Sequence, residues 1–167
     1  DDDGVLAGNT QIIKDGILVT GISDLASAAQ LGTAPTGNGR RQSSRRKAYS
    51  RMTNTFFEKG TDKLEDMIAS IQHGYMLFET SNGMEDPKNW AIQCVAQYGI
   101  EIADGKLTDN YVAPVVMSGY VPDLLKSISM ISDDFEISGS GYCGKGYKEW
   151  VRVSDGGPAL KVRVKLG

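Results

Sequence analysis

The clearest pattern lies at the end of the chain, where Leu160, Val162, Val164 and Leu166 alternate with Lys161, Arg163 and Lys165. A period of two puts apolar side chains on one face and charged ones on the other, so 160–166 is predicted as one half-buried strand. The same period at Trp90, Ile92, Cys94 and Ala96 makes Cys94 a small buried hydrophobe. Asp15-Gly16 and Asp104-Gly105 each sit between short apolar runs. A type I′ turn needs φ > 0 at both central positions, which Asp-Gly supplies, so two hairpins are predicted. The first joins 11–14 to 17–20 and the second joins 100–102 to 106–108. Further strands are expected at 51–57, 75–79, 115–117 and 150–153.

Three segments carry the helical period instead. Leu25, Ala28, Ala29 and Leu31 follow Ser23, a candidate N-cap, and Gly32 can close that helix in the left-handed region. Leu64, Met67, Ile68 and Ile71 follow Asp62, with Glu65 spaced for a capping box and Gly74 as the stop. His73 then falls in the last turn of that helix, where it favours the helix C-terminus. Leu124, Leu125, Ile128 and Ile131 follow Pro122, which suits a first helical turn. Residues 1–10 are expected to fray. Loops are expected at 33–50, 81–89 and 154–158.

Hairpins, meanders and about three interspersed helices predict an α+β fold with a mainly antiparallel, barrel-like sheet, not a doubly wound one. An Asp-Gly hairpin, a glycine (Gly21, Gly119) and a helix occur in that order twice, which suggests an internal duplication.

Composition narrows the class. The chain has 167 residues, 40% hydrophobic and 23% charged, as expected of a globular domain with a real core. A net charge of -3 excludes a global polycation for nucleic acid. No apolar run approaches the roughly 18 residues that span a bilayer, so no membrane partner is expected. Two cysteines, Cys94 and Cys143, do not make a disulfide framework; nothing in the sequence favours their pairing, and a reducing compartment is the default expectation. An opening of Asp1-Asp2-Asp3, without Met, reads as the start of a piece of something longer.

Two stretches carry candidate chemistry. Gly139-Ser140-Gly141-Tyr142-Cys143-Gly144-Lys145-Gly146 sets a cysteine among four glycines. Such a segment can adopt φ > 0 or approach other backbone closely, and it presents the thiol as a metal ligand or nucleophile. The competing reading is a glycine-rich hairpin with an incidental cysteine. Arg40-Arg41-Gln42-Ser43-Ser44-Arg45-Arg46-Lys47 carries five positive charges. It reads either as a solvated basic loop or as an arginine clamp for an anion, a carboxylate or a peptide backbone. It lacks interleaved aromatics, so nucleic acid is not expected there. His73 is the only histidine and has no evident orienting partner for general-base work.

Three blocks together resemble the C-terminal domain of the TldD/PmbA family, which is also described as modulators of DNA gyrase. They are 36–43 (Thr-Gly-Asn-Gly-Arg-Arg-Gln-Ser), 51–55 (Arg-Met-Thr-Asn-Thr) and 141–145 (Gly-Tyr-Cys-Gly-Lys). Their order and spacing match, and 12–32 is similar to the family's hairpin and helix. The resemblance implies a cytoplasmic zinc metallopeptidase that degrades unfolded peptides and pairs with a non-catalytic TldE/PmbA-type subunit. It implies zinc held by two histidines of an HExxxH helix and one cysteine, with that helix's glutamate as general base. Cys143 falls on the family's cysteine ligand. Arg40, Arg41 and Asn54 become candidates for binding substrate carbonyls or a carboxylate.

The sequence departs from the family pattern in two places. No HExxxH is present, and in the family that helix lies upstream of the region matched here. Residues 81–89 are also unlike the glycine-rich loop expected there. Residues 1–167 therefore read as a C-terminal domain alone, contributing one zinc ligand and part of the cleft. By itself it is expected to bind no zinc and to hydrolyse no peptide. The alternatives are a partner or dimerisation module of the same family, homo- or heterodimeric, and a gyrase-modulating regulator.

Overall fold

The computed structural model describes residues 1–145 and 148–167; Gly146, the last residue of the cysteine stretch, lies outside them. In chain order the elements begin with β1 (Ile13–Lys14), β2 (Ile17–Leu18), α1 (Leu25–Leu31), β3 (Gly39–Arg40) and β4 (Tyr49–Ser50). They continue with α2 (Leu64–Ala69), β5 (His73–Asp86), β6 (Ala91–Ala103), β7 (Lys106–Val112), β8 (Val115–Tyr120) and α3 (Val121–Lys126). The last are β9 (Met130–Ile131), β10 (Glu136–Lys145), β11 (Lys148–Gly157), β12 (Leu160–Lys161) and β13 (Lys165–Leu166). The fold is α+β with antiparallel ladders predominating, as the patterning predicts. Among the described residues the sheets are open, and none closes into a barrel.

The chain divides into two compact units, Asp1–Phe57 with Glu136–Gly156, and Glu58–Phe135 with Gly157–Gly167. In the first, β1 and β2 form the expected hairpin, with Asp15 at φ 51° and Gly16 at φ 76°. Helix α1 is capped by Asp24 rather than Ser23. The Asp24 carboxylate accepts from the Ser27 amide at 2.6 Å, and the Ser27 hydroxyl accepts from the Asp24 amide at 3.1 Å. The Ser23 backbone is engaged elsewhere, its amide donating to Thr36 Oγ1 at 2.7 Å.

The amino-terminal arm does not fray. The Asp2 amide donates to the Gly39 carbonyl at 2.8 Å, and the Gly39 amide donates to Asp1 Oδ2 at 2.8 Å. The Arg41 amide donates to Asp2 Oδ2 at 2.8 Å, and the Leu25 amide to Asp3 Oδ2 at 3.1 Å. Three aspartates thus satisfy backbone amides, a role that their polarity alone did not reveal. The basic run is the loop of the β3–β4 hairpin, in which Arg40 pairs with Tyr49.

The strand expected at 51–57 is absent; the segment makes a single parallel bridge, Asn54 to Ser154. Strands β10 and β11 pair with each other, so the cysteine lies in a paired strand. The turn expected at 154–158 is largely strand, since β11 runs to Gly157.

In the second unit the sheet order is β13-β8-β6-β5, with β7 also on β6. Strands β5 and β6 pair from His73–Ala103 to Asp86–Ala91, with an irregularity between Ser81 and Met84. The loop expected at 81–89 is therefore mostly ribbon, and His73 opens a strand instead of closing a helix. Asp86 stabilises the reversal by accepting from the Lys88 amide at 3.0 Å and from Asn89 Nδ2 at 2.6 Å. The Asp104-Gly105 turn forms as predicted, and its two amides donate to the carbonyls of Gln72 and Ile71, each at 2.8 Å.

Both remaining helices are shorter than their apolar periods. Helix α2 is preceded by Lys63, with no capping side chain, because the Asp62 carboxylate accepts from the Ile131 amide at 2.8 Å. Ile71, Ile128 and Ile131 fall outside their helices. The strand expected over 160–166 splits, β12 pairing with β9 and β13 with β8. Between them the Arg163 amide donates to Ser127 Oγ at 2.9 Å, so alternation marked the apolar face but not the change of partner. Ala96, Ile102, Val115 and Met67 are buried in this unit; Ala28, Val151 and Val153 are buried in the first.

Gly156 near the end of β11 has φ 136°, and a Cβ there would lie 2.2 Å from the Glu136 carbonyl oxygen. That conformation is almost exclusive to glycine, and backbone cannot yield as a side chain can. Gly156→Ala is expected to cost about 2–4 kcal/mol, checked by urea unfolding against wild type.

Candidate functional site

The candidate site is built on the pairing of β10 with β11. Cys143, on β10, is a half-buried free thiol. Glycines on this strand do not take left-handed dihedrals. They leave room instead: a Cβ at Gly144 would lie 2.7 Å from the Trp150 ring. The aromatic side chain of β11 therefore covers the backbone next to Cys143.

Arg51 is only 2% exposed. Its Nη1 donates to the Glu149 carbonyl at 2.6 Å, and its Nη2 donates to the Cys143 carbonyl. One guanidinium thus joins the backbones of both strands. Glu149 is left-handed at φ 59° and 8% exposed, and its carboxylate faces Arg46 at 3.8 Å. Lys47 and Lys145 place their ammonium groups 5.4 and 5.3 Å from the Tyr49 ring centroid, within cation–π range.

The Arg51 backbone is held as firmly as its side chain. Its amide donates to the Asn38 carbonyl at 2.9 Å, and Asn38 Nδ2 donates to the Arg51 carbonyl at 3.1 Å. Thr36 Oγ1 donates to Asn38 Oδ1 at 2.8 Å. One residue earlier, the Ser50 amide donates to Asp24 Oδ2 at 2.7 Å. The N-cap carboxylate of α1 therefore also anchors β4, the strand that delivers Arg51.

The structure brings two of the three sequence blocks, 36–43 and 51–55, to the strand that carries the third. It does not gather all the candidate site residues. Arg40 donates from Nη1 to the Met52 carbonyl at 2.8 Å, and Arg41 donates from Nη2 to the Asp2 carbonyl. Both guanidinium groups are thus partly engaged by the chain's own backbone. Asn54 is exposed beside its bridge to Ser154. His73 belongs to the other unit, exposed, with its ring edge-on to Tyr75 at 6.0 Å. Cys94 is half-buried and burial pushes its thiol up, in keeping with a packing role.

A family model described as the PmbA/TldA metallopeptidase C-terminal domain matches residues 1–165. The chain belongs to the TldD/PmbA family. It is 36% identical over 168 residues to the zinc metalloprotease TldD homolog of Saccharolobus solfataricus, covering 100% of this chain and 37% of that protein. It is 35% identical over 163 residues to a Synechocystis metalloprotease, covering 98% of this chain and 35% of that protein. The chain thus spans about a third of the length of the curated relatives it matches.

Two solved structures share the fold. A Thermotoga maritima protein described as a modulator of a DNA gyrase superposes with TM-score 0.70 at 20% identity, over 100% of this chain and 35% of that one. TldE from Thermococcus kodakarensis gives 0.67 at 24% identity, over 99% and 35%. Among the described residues no helix is long and apolar enough to cross a membrane.

In this TldD/PmbA domain the donor set for a metal is small. Among the described residues no three His, Cys, Asp or Glu side chains are grouped to hold an ion. Thiolate is a soft donor suited to zinc, but a structural or catalytic zinc takes three or four protein ligands. Cys143 alone does not make that centre. The residues that sequence reasoning passed over are Arg51 and Glu149. Arg51 stood inside a recognised block, yet arginine is so commonly exposed that nothing in the local pattern marked it as buried.

Asp24 carries a testable part of this framework. Hydrogen bonds from the Ser27 amide above all, with those from the Ser27 hydroxyl and Ser50 amide, hold its carboxyl below the ordinary 3.8. Its charge therefore stabilises the fold above that value, and the contribution is lost as pH falls through the lower folded value. Asp24→Ala is expected to cost about 1–2 kcal/mol near neutral pH. Urea unfolding across pH should show that gap constant above about pH 5 and narrowing below about pH 4.

Proposed function

We propose that this chain is the C-terminal domain of a TldD-type zinc metallopeptidase acting on unfolded peptides, and that Cys143 lends a thiolate to its zinc. The supporting observation is a free, half-buried thiol on an anchored strand, in a chain 36% identical along its length to a zinc metalloprotease homolog. The other protein ligands would be the histidines of an HExxxH helix outside this sequence. Zinc bound there would supply Lewis-acid polarisation of a peptide carbonyl.

This chain's own part is to hold the thiolate and line the cleft. Arg40, Arg41 and Asn54 would meet the substrate, since guanidinium forks match carbonyls and carboxylates and retain donors beyond those already used. The protein would work in the cytoplasm, paired with a TldE/PmbA-type subunit. A second reading, a non-catalytic partner module, draws on the likeness of fold to TldE. A gyrase-modulating role draws on the descriptions of proteins alike in fold and on one basic run, in a chain whose net charge of -3 makes it no global polycation.

In the intact protein, Cys143→Ser is expected to abolish stoichiometric zinc by elemental analysis and to lower peptide turnover about 100-fold or more. A variant that keeps both would overturn Cys143 as a zinc ligand, whereas an intact wild-type protein that binds no zinc and cleaves no peptide would favour the partner module. Arg41→Ala is expected to raise KM for a peptide about tenfold with kcat little changed. Unaltered kinetics in a folded variant would remove Arg41 from the substrate site.

A further inference from the structure

We propose that Arg51 is the positioning residue for Cys143, setting the direction of its thiolate by holding the peptide plane that follows it. The inference deepens the reading of Cys143 as a metal ligand and rests on it.

The carbonyl of Cys143 and the amide of Gly144 lie in one planar peptide unit. An oxygen pinned on that plane limits rotation about the Cα–C bond of Cys143, and with it the line of the Cα–Cβ bond. Arg51 pins that oxygen from Nη2 while Nη1 pins the Glu149 carbonyl on the neighbouring strand at 2.6 Å. Two bonds from one rigid fork fix an orientation, where a single bond would fix only a distance. The Trp150 ring also packs against Gly144, the second residue of that peptide unit.

Stability by itself is a poor reason for this arrangement. Arg51 is 2% exposed, and among the described residues no carboxylate pairs with it. Its Nε has no hydrogen-bond partner. A buried guanidinium offset only by carbonyls and carrying an unmatched donor is costly to desolvate. Glu149, whose carbonyl it holds, also keeps a left-handed backbone, itself unfavourable for a residue with a Cβ. Both unfavourable features meet at the two paired strands that Arg51 bridges, one of which carries Cys143. The cost is understandable if what is gained is geometry.

The test uses the intact protein, with zinc affinity measured by chelator competition and cobalt(II) substituted to report thiolate ligation through its charge-transfer absorption. Arg51→Met removes both donors, and Arg51→Lys keeps the charge but not the fork. Both are expected to weaken zinc 10- to 100-fold, as losses of an orienting partner do. Both should also shift or weaken the cobalt–thiolate band and lower kcat more than KM, with Arg51→Lys the milder. A merely structural role would move the melting temperature and leave the band of the folded protein where it was. Should Arg51→Met fail to fold, Arg51→Lys decides. A wild-type thiolate band that both folded variants leave unchanged, with unchanged zinc affinity, overturns the positioning role alone. No thiolate band in the wild-type cobalt protein overturns Cys143 as a ligand, and this inference with it.

Discussion

A guanidinium taken out of water and shared between two strands is the constraint on which the first unit is built. Hydrogen bonds to a charged donor contribute roughly 1.5–3 kcal/mol each, while removing a cation from water costs several. Arg51 offers two such bonds and an unmatched Nε against that cost. The sum is close to balance in stability but strongly restrictive in geometry. The surrounding bonds serve the same end: Asn38 brackets the Arg51 backbone from both sides, and Asp24 holds the residue before it.

Carboxylates do much of the local work that hydrophobic contact does elsewhere. Asp1, Asp2 and Asp3 accept from backbone amides at 39, 41 and 25, which turns the first residues into part of the frame under the basic hairpin. Asp24 caps a seven-residue helix and a strand with its two oxygens. The unit's buried apolar set is small, so satisfied amides matter more here than in a large core. In the second unit the balance is more ordinary, with Ile102, Ala96, Val115 and Met67 buried around an antiparallel sheet.

Family membership and chemistry stand at different distances from these observations. The match over residues 1–165 establishes the domain. A chain covering about a third of its relatives presents one candidate donor, Cys143, on an anchored strand. Its basic hairpin is braced by its own backbone through Arg40 and Arg41. Substrate and partner follow from the proposed role of the whole protein.

Local chemistry was legible wherever a few neighbouring residues decide a conformation. Both Asp-Gly turns, the left-handed Gly32 after α1 and Pro122 in the first turn of α3 could be read directly, because φ preferences act within one or two residues. So could the α+β class. Only the tertiary structure decided which of two adjacent side chains caps α1 and that Asp62 serves Ile131 instead of α2. It alone showed that 160–166 changes partners midway and that 81–86 extends a ribbon. It alone buried Arg51 against the carbonyls of residues 92 and 98 positions away. Those outcomes depend on which distant amide or carbonyl comes within about 3 Å, and periodicity along a chain holds no record of that.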